Sequence, residues 1–283
     1  RRAFDYVQSG AQSFFDGLSA LLQGLIDVIL ALLLRPPGTN WLTGRRFEPQ
    51  FEFWTEHIHR LLIVALFVAL AWVLQRNWKV CLIVLVGFLF ILDQGYWVQT
   101  SESLTLVLTS CIVCMGIGVP VGIWLAHRPK LYAWVSPVLD LMQTLPTFVY
   151  LIPAIVFFGL GMVPGLIATA IFVIPAPIRL THLGVSTTPK ELREAGLAFG
   201  ATPSQLLRKV ELPWALPQIM AGLTQTIMLS LSMVVIAALV GADGLGVPVV
   251  RALNTVNTAL GFEAGLVIVV VAILLDRTFR RGG

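Results

Sequence analysis

The sequence predicts an all-α integral membrane protein with about seven transmembrane helices and an additional amphipathic helix near its N-terminal end. Two observations on composition support this class: 57% of the 283 residues are hydrophobic and only 12% are charged, about half the charged share of a soluble domain. The mean hydropathy is +0.85. The apolar residues also fall in long runs, as a bilayer requires of a spanning helix. Lipid is therefore the solvent for most of this chain.

Seven apolar runs reach or approach the ~20 residues that a helix needs to cross a bilayer. Twelve of the 16 prolines lie between 120 and 217, several of them within these runs. A proline inside a span frees a carbonyl group that only a neighbouring helix or a wet cavity can satisfy. The broken helices favour a transport pathway over a passive anchor. The predicted spans are 58–75, 79–97, 103–126, 133–159, 163–182, 214–240 and 262–280.

Lysine and arginine are unevenly distributed between the connections of these spans. With the connection after the first span in the cytoplasm, twelve Lys and Arg residues beyond position 60 fall on the cytoplasmic side and only Arg251 falls outside. The positive-inside rule then predicts an extracytoplasmic N-terminus and a cytoplasmic C-terminus.

Residues 1–57 are predicted to form an extracytoplasmic segment. Within it, 14–34 is an apolar helix with a narrow polar stripe of Asp16, Gln23 and Asp27. Because a carboxylate at the bilayer centre costs ~2.5 kcal/mol or more, we expect this helix to lie in the outer interface. Aromatic residues between Trp41 and Trp54 resemble an interfacial belt. Two accessory spans within 58–97 and a core of 98–283 complete the predicted organisation.

The longest cytoplasmic connection, 184–213, is predicted to hold two short, sharply bounded helices. Thr188-Pro189-Lys190-Glu191 and Thr202-Pro203-Ser204-Gln205 both have the pattern of a capping box with proline at the first helical position. Gly200 lies where a glycine ends a helix. A passive linker between two spans would not need helices with such sharply defined ends. The two predicted helices are 189–199 and 203–211.

Within this connection, Glu194-Ala195-Gly196, three residues, Gly200, nine residues and Val210-Glu211-Leu212-Pro213 resemble the coupling-loop motif of binding-protein-dependent ABC importer permeases. The family pattern has Ala at Gly196 and Ile at Val210. The resemblance implies a type I ABC importer permease core, in which a rigid helix docks on a separate ATPase and transmits its motion to the spans. The coupling residues it implies are Glu191, Glu194, Ala195, Gly196, Gly200, Leu212 and Pro213. We assign Glu191 mainly to its own helix cap.

A wider resemblance covers about 100–280. The segments 140–151, 225–237 and 244–246 are similar to those of glycine betaine and proline betaine permeases, whose group includes choline and trimethylamine N-oxide permeases. This resemblance implies a multi-pass subunit of a bacterial inner membrane that acts with a second copy of itself, a substrate-binding protein and two ATPase subunits. The chain has no Gly-x4-Gly-Lys-Ser/Thr loop, so ATP and Mg are expected on the ATPase and no cofactor or catalysis on this chain.

A betaine carries a cation and a carboxylate but no net charge. Aromatic faces, methionines and neutral hydrogen-bonding groups would suffice to bind it. Two helices, at about 140–150 and 225–233, supply such residues. Helix packing by small polar side chains explains these residues equally well. The candidates for the translocation path are Gln143, Thr144, Thr147, Phe148, Tyr150, Gln225, Met228, Ser232 and Met233.

Other polar residues are given structural interpretations. Cys111-x-x-Cys114 has metal-site spacing but apolar neighbours and no second pair, so packing is preferred over a metal site. Asp140 is predicted to have a structural role within reach of Lys130. His127 and His182 fall among basic residues of the cytoplasmic face and are assigned no special role.

Two rival functions remain. The first is an ATP-independent secondary transporter or channel for small polar solutes, which would leave the capped cytoplasmic loop unexplained. The second is an intramembrane enzyme, but the sequence has no His-Glu-x-x-His and no Gly-x-Ser-x-Gly. No basic tract with interleaved aromatics is present, so nucleic acid is not an expected partner.

Overall fold

The computed structural model describes residues 2–34 and 49–279, with side chains for 14–34 and 58–279. Every regular element in these residues is helical. A π-helical turn, Leu207–Glu211, joins the helix Pro203–Leu206 to the helix Leu212–Ala238 and is called the π-turn below. The helices are α1 (Arg2–Leu34), α2 (Pro49–Gln75), α3 (Trp78–Asp93), α4 (Trp97–Ala126), α5 (Pro129–Thr144), α6 (Thr147–Phe158), α7 (Met162–Val173), α8 (Pro175–Ser186), α9 (Lys190–Ala198), α10 (Pro203–Leu206), α11 (Leu212–Ala238), α12 (Gly246–Thr255) and α13 (Thr258–Phe279).

Six helical segments of the described chain are long and apolar enough to cross a membrane, and five of them coincide with predicted spans. The predicted span 79–97 corresponds to the shorter α3. Its 16 residues reach about 24 Å at 1.5 Å per residue, less than the ~30 Å hydrocarbon core. The six segments are Phe14–Leu34, Ile58–Gln75, Trp97–Ala126, Met162–Ser186, Pro203–Ala238 and Thr258–Phe279.

The predicted span 133–159 is broken, as its prolines indicated. It consists of α5 and α6, whose axes differ by 91°. Leu145, between them, has an extended backbone with ψ 136° because the ring of Pro146 disfavours the helical conformation of the residue before it. Hydropathy predicts the apolar length of such a segment but not its change of direction.

Close contacts between α4, α8 and α11 form the centre of the fold. A Cβ atom on Gly118 of α4 would lie 2.8 Å from the ring of Pro177, and one on Gly184 of α8 would lie 2.9 Å from Cβ of Gln218. Glycine at these crossings allows the helix backbones to approach. Hydroxyl groups complete the contact, since Ser110 and Ser230 share a buried 3.0 Å hydrogen bond between α4 and α11.

The N-terminal helix α1 packs along this core. Ile26 is fully buried in the main apolar cluster, and Phe15 stacks on Phe157 of α6 with 4.6 Å between ring centroids. The helix is amphipathic as predicted, and its segment Phe14–Leu34 is also long and apolar enough to cross a membrane. Its position in the outer interface stays a prediction. The predicted polar stripe is exposed, at Asp16, Gln23 and Asp27.

Some predictions fall outside the described residues. The predicted aromatic belt between Trp41 and Trp54 lies in a part of the chain whose side chains are not described, although the helix α2 begins within it at Pro49. The basic residues Arg280 and Arg281, which enter the orientation argument, follow the last described residue.

The short helix α12, between α11 and α13, was not predicted. Its start is fixed from α4, because the backbone N–H of Leu245 donates a 2.8 Å hydrogen bond to Oγ of Ser103. Gly244 has φ +127° and its Cβ position would lie 2.5 Å from the same Oγ, so only glycine fits there. Arg251 is exposed on α12.

Candidate coupling site

The candidate coupling site is the helical hairpin made by α9, α10 and the π-turn, which we call the coupling hairpin. The helix α9 buries none of its residues within the chain. Leu192, Leu197 and Phe199, which directly follows the helix, are 44%, 55% and 92% exposed. Three large apolar side chains at one exposed hairpin are typical of a docking surface for another protein.

Gly200 ends α9 as predicted. It has φ +76°, a left-handed conformation that costs other residues energy. Its N–H donates to the carbonyl of Leu197 at 2.9 Å, and the N–H of Ala201 donates to the carbonyl of Gly196 at 3.1 Å. This pair of bonds is the Schellman motif, which fixes the direction in which the chain leaves α9.

One of the two predicted capping boxes is confirmed. The N–H of Gln205 donates to Oγ1 of Thr202 at 3.4 Å, and the N–H of Thr202 donates to Oε1 of Gln205 at 2.9 Å. The box at Thr188 is wrong, because its buried hydroxyl donates instead to the carbonyl of Val185 at 2.9 Å. Glu191 is exposed in the first turn of α9, where no side chain caps the helix, so its predicted capping role is also wrong.

Gly196 is one of the two positions at which the sequence departs from the family pattern. A Cβ atom on this residue would lie 2.8 Å from Cδ1 of Leu206, so the two arms of the coupling hairpin touch where the pattern has alanine. Glu194 and Ala195, on the same helix, are exposed and remain available to a partner.

The second arm of the coupling hairpin does not stop before the next span. Pro203–Ala238 is one continuous helical segment, whereas the sequence predicted a separate helix ending at 211. Leu212 and Pro213 directly follow the π-turn, at the start of α11, so the segment continues through a proline that has no backbone N–H to donate. A force on the hairpin therefore reaches α11 without an intervening loop.

Glu211 is a buried residue of this site that the sequence did not single out. Its side chain is 2% exposed and lies between His127 and Arg193. Nε2 of His127, at the end of α4, donates to Oε2 at 2.8 Å, and Nε of Arg193 on α9 lies 3.2 Å from Oε1. The assignment of no special role to His127 is therefore wrong. The signal available in the sequence was the position of Glu211, a carboxylate directly before Leu212 and Pro213 at the start of an apolar span.

The candidate path residues on α11 divide between two faces. Gln225, Met228 and Ser232 are exposed at the three- and seven-residue spacing of one helix face. Met233 is 1% exposed and lies on a buried face of the helix, so the structure does not bring it together with the other three.

The candidate path residues of the other helix flank the bend between α5 and α6. Gln143 and Thr144 lie before it, and Thr147, Phe148 and Tyr150 after it. The phenol of Tyr150 donates a 2.7 Å hydrogen bond to the carbonyl of Met142. This bond crosses the bend and ties its two arms together, so the hydroxyl of Tyr150 has a structural partner. Phe148 is 57% exposed and presents an aromatic face.

Side-chain contacts join α5 to α8. Asp140 accepts a charged hydrogen bond from Arg179, which supports its predicted structural role but replaces the predicted partner Lys130. Tyr132 stacks on His182 with 3.5 Å between ring centroids, so His182 also has a packing role that was not predicted.

The cysteine pair Cys111 and Cys114 is buried in α4 with free thiols. Sγ of Cys114 lies 3.7 Å from the carbonyl of Ala170, a helix–helix contact of the kind expected from a packing residue. Among the described residues, no group of three or more His, Cys, Asp or Glu side chains could hold a metal ion.

Solved structures resemble this architecture. Two crystal forms of the inward-facing MetNI methionine ABC transporter contain a chain that matches with TM-scores of 0.57 and 0.56 at 28% and 27% identity. The matches cover 66% of this chain and 93% and 92% of the other chains. Together with the coupling hairpin, they define the class of this protein: the fold is that of a type I ABC permease.

The sequence matches, over residues 118–280, the model of a family described as binding-protein-dependent transport system inner membrane component. Over 98% of its length it is 44% identical to the glycine betaine transport system permease protein OpuAB of Bacillus subtilis, of which it covers 90%. It is 48% identical, over 77% of its length, to the glycine betaine/carnitine transport permease protein GbuB of Listeria monocytogenes, of which it covers 78%. The chain belongs to the family of binding-protein-dependent transport system inner membrane components, which confirms the resemblance carried by its coupling-loop motif.

Proposed function

We propose that this chain is the permease subunit of an ABC importer that moves a quaternary or methylated amine osmolyte across the inner membrane. Glycine betaine, proline betaine, choline and trimethylamine N-oxide are the candidate substrates. The observation that carries the proposal is the coupling hairpin, which exposes an apolar surface on one side and continues into α11 on the other. The names of the relatives OpuAB and GbuB support the substrate class.

The proposed complex contains two copies of this chain, two ATPase subunits that bind ATP and Mg, and a substrate-binding protein. Family membership implies the ATPase and the binding protein. The exposed side chains of Leu192, Leu197 and Phe199 would fill a groove on the ATPase. This chain would contribute conformational change and no catalytic group.

The proposed orientation has an extracytoplasmic N-terminus and a cytoplasmic C-terminus. It is supported by the twelve Lys and Arg residues on one side and one on the other, as the positive-inside rule requires. The coupling hairpin then lies in the cytoplasm, where an ATPase has access to ATP.

The proposed path lies between the exposed faces of α11 and of the bent pair α5–α6. Gln225 and Ser232 offer neutral polar groups, and Phe148 offers an aromatic face exposed by 57%. A quaternary amine gains roughly 0.5–2 kcal/mol from each aromatic face that it contacts. These groups suit a zwitterion because they impose no ring of a single charge sign.

Reconstitution into vesicles tests the function. Uptake of labelled glycine betaine is expected only when the chain, its ATPase, the binding protein and ATP are all present, and an ATPase whose phosphate-loop lysine is replaced serves as the control. Uptake by the chain alone without ATP would instead indicate the secondary transporter. If the full complex transports a different solute and none of the four amines competes, the substrate part of the proposal is wrong.

A further inference from the structure

Glu211 joins three separate elements of the fold. It lies in the π-turn, accepts a hydrogen bond from His127 at the end of α4, and pairs with Arg193 on α9. A carboxylate that is 2% exposed is strongly destabilising unless cations and hydrogen bonds compensate the lost hydration. Here each carboxylate oxygen has its own partner.

The ring of His127 bridges α4 and the π-turn. Its Nδ1 lies 2.9 Å from the carbonyl oxygen of Ile123 and its Nε2 lies 2.8 Å from Oε2 of Glu211. The imidazole therefore ties the end of α4 to the buried carboxylate.

The pairing between Arg193 and Glu211 holds α9 to the rest of the chain by charge. Since α9 buries none of its own residues, it has little apolar packing with which to resist displacement. Arg193 is 44% exposed at the side chain, and its guanidinium reaches from the exposed helix to the buried carboxylate. Displacing α9 would pull on this contact before it disturbs any apolar core.

The π-turn explains why Glu211 points inward. It replaces one turn of regular helix between Leu207 and Glu211, and a turn of this kind changes which residues face inward relative to a continuous α-helix. On the far side, α4 contacts α8 backbone to backbone at Gly122. A shift of Glu211 is thereby transmitted to the packed centre of the fold.

We propose that Glu211, Arg193 and His127 form a charged joint through which the motion of α9 is transmitted to α4 and α11. The three are positioning residues, because none is required to touch the transported solute or the nucleotide. This inference rests on the proposed function, since it assumes that an ATPase moves α9.

The test uses the whole transporter reconstituted in vesicles, with three measurements: co-purification of the ATPase, the KM for ATP, and glycine betaine uptake per ATP hydrolysed. The variants are Glu211→Gln, Arg193→Gln and Arg193→Lys. Lys130→Gln removes an exposed cation outside the coupling hairpin and is the matched control.

We expect uptake per ATP to fall about tenfold in Glu211→Gln and Arg193→Gln, as loss of one partner of a buried charge pair implies. The KM for ATP and the amount of bound ATPase should stay near wild type, which a general loss of folding would not allow. Arg193→Lys should recover most of the ratio because it keeps the charge, and Lys130→Gln should match wild type.

Wild-type uptake per ATP in Arg193→Gln, or equal losses in Arg193→Gln and Arg193→Lys, would overturn the charged joint. The two variants at Arg193 test the charged joint even if Glu211→Gln fails to assemble. Arg193 is about half exposed, so its replacement leaves no cavity. A wild-type transporter without ATP-dependent uptake would instead contradict the proposed function.

Discussion

Gly122 on α4 lies so close to Ile178 on α8 that a Cβ atom on Gly122 would be 2.7 Å from the carbonyl oxygen of Ile178. The same Cβ would lie 2.7 Å from Cβ of Thr181. Neither neighbour is the tip of a flexible side chain, so the added methyl group could be accommodated only by separating two helices. The crossing of α4 and α8 therefore has no room for an added methyl group.

Gly122→Ala should destabilise the protein by about 1–3 kcal/mol, the usual cost of overpacking a well-packed core. The lowered unfolding midpoint can be measured by thermal denaturation in detergent. Gly116→Ala is the control, since no atom lies within 4 Å of its Cβ position, and alanine is the better helix former by about 1 kcal/mol. Equal midpoints for the two variants would contradict the close crossing.

Gly200→Val should abolish uptake while membrane insertion stays normal. A residue other than glycine at φ +76° costs roughly 1–2 kcal/mol, and a β-branched side chain fits there poorly, so the bend after α9 would change direction. Gly200→Asn should keep most of the uptake because asparagine tolerates the left-handed region. Vesicle uptake at matched protein levels checks both, and full activity of the valine variant would count against the docking role.

Glu194→Lys should also abolish uptake without affecting insertion. Glu194 is exposed on α9, so reversal of its charge leaves the fold intact and acts on the surface offered to the ATPase. The measurement is co-purification of the ATPase together with uptake. Lys130→Glu, a reversal at an exposed residue of α5, should leave both unchanged. Retained ATPase and uptake in Glu194→Lys would show that this face of α9 is not the docking surface.

The position of α1 relative to the membrane is testable by cysteine labelling. If α1 lies in the outer interface, Ser9→Cys and Asn40→Cys, placed before and after the apolar segment Phe14–Leu34, should both react with an impermeant maleimide from the extracytoplasmic side. A background without Cys81, Cys111 and Cys114 removes the native thiols. Reaction of the two sites from opposite sides would show that Phe14–Leu34 crosses the membrane.

The sequence predicted most of the helical spans because apolar length is a local property of the chain. It also predicted the end of α9, because the left-handed backbone conformation at this position favours glycine, and Gly200 is visible in the sequence. The break between α5 and α6 was predicted from its prolines, but its 91° angle was not, because Pro146 shows where a helix breaks and not the direction in which the next one leaves.

Predictions failed where a residue has more than one available partner. Thr188 had the pattern of a helix cap, but burial directs its hydroxyl to the carbonyl of Val185. Glu211 appeared as the variable position of a motif, whereas its importance comes from His127, which lies 84 residues away. Contacts of this range depend on how the helices pack, and a single sequence does not display them.

The benzyl group of Phe199, 92% exposed on its own subunit, has a consequence for biogenesis. A newly made copy that has not yet bound an ATPase exposes this apolar side chain to water. Chaperones and proteases recognise such exposed apolar groups on unassembled subunits. We therefore expect the abundance of this chain in a cell to follow that of its ATPase, whatever the rate at which its message is translated.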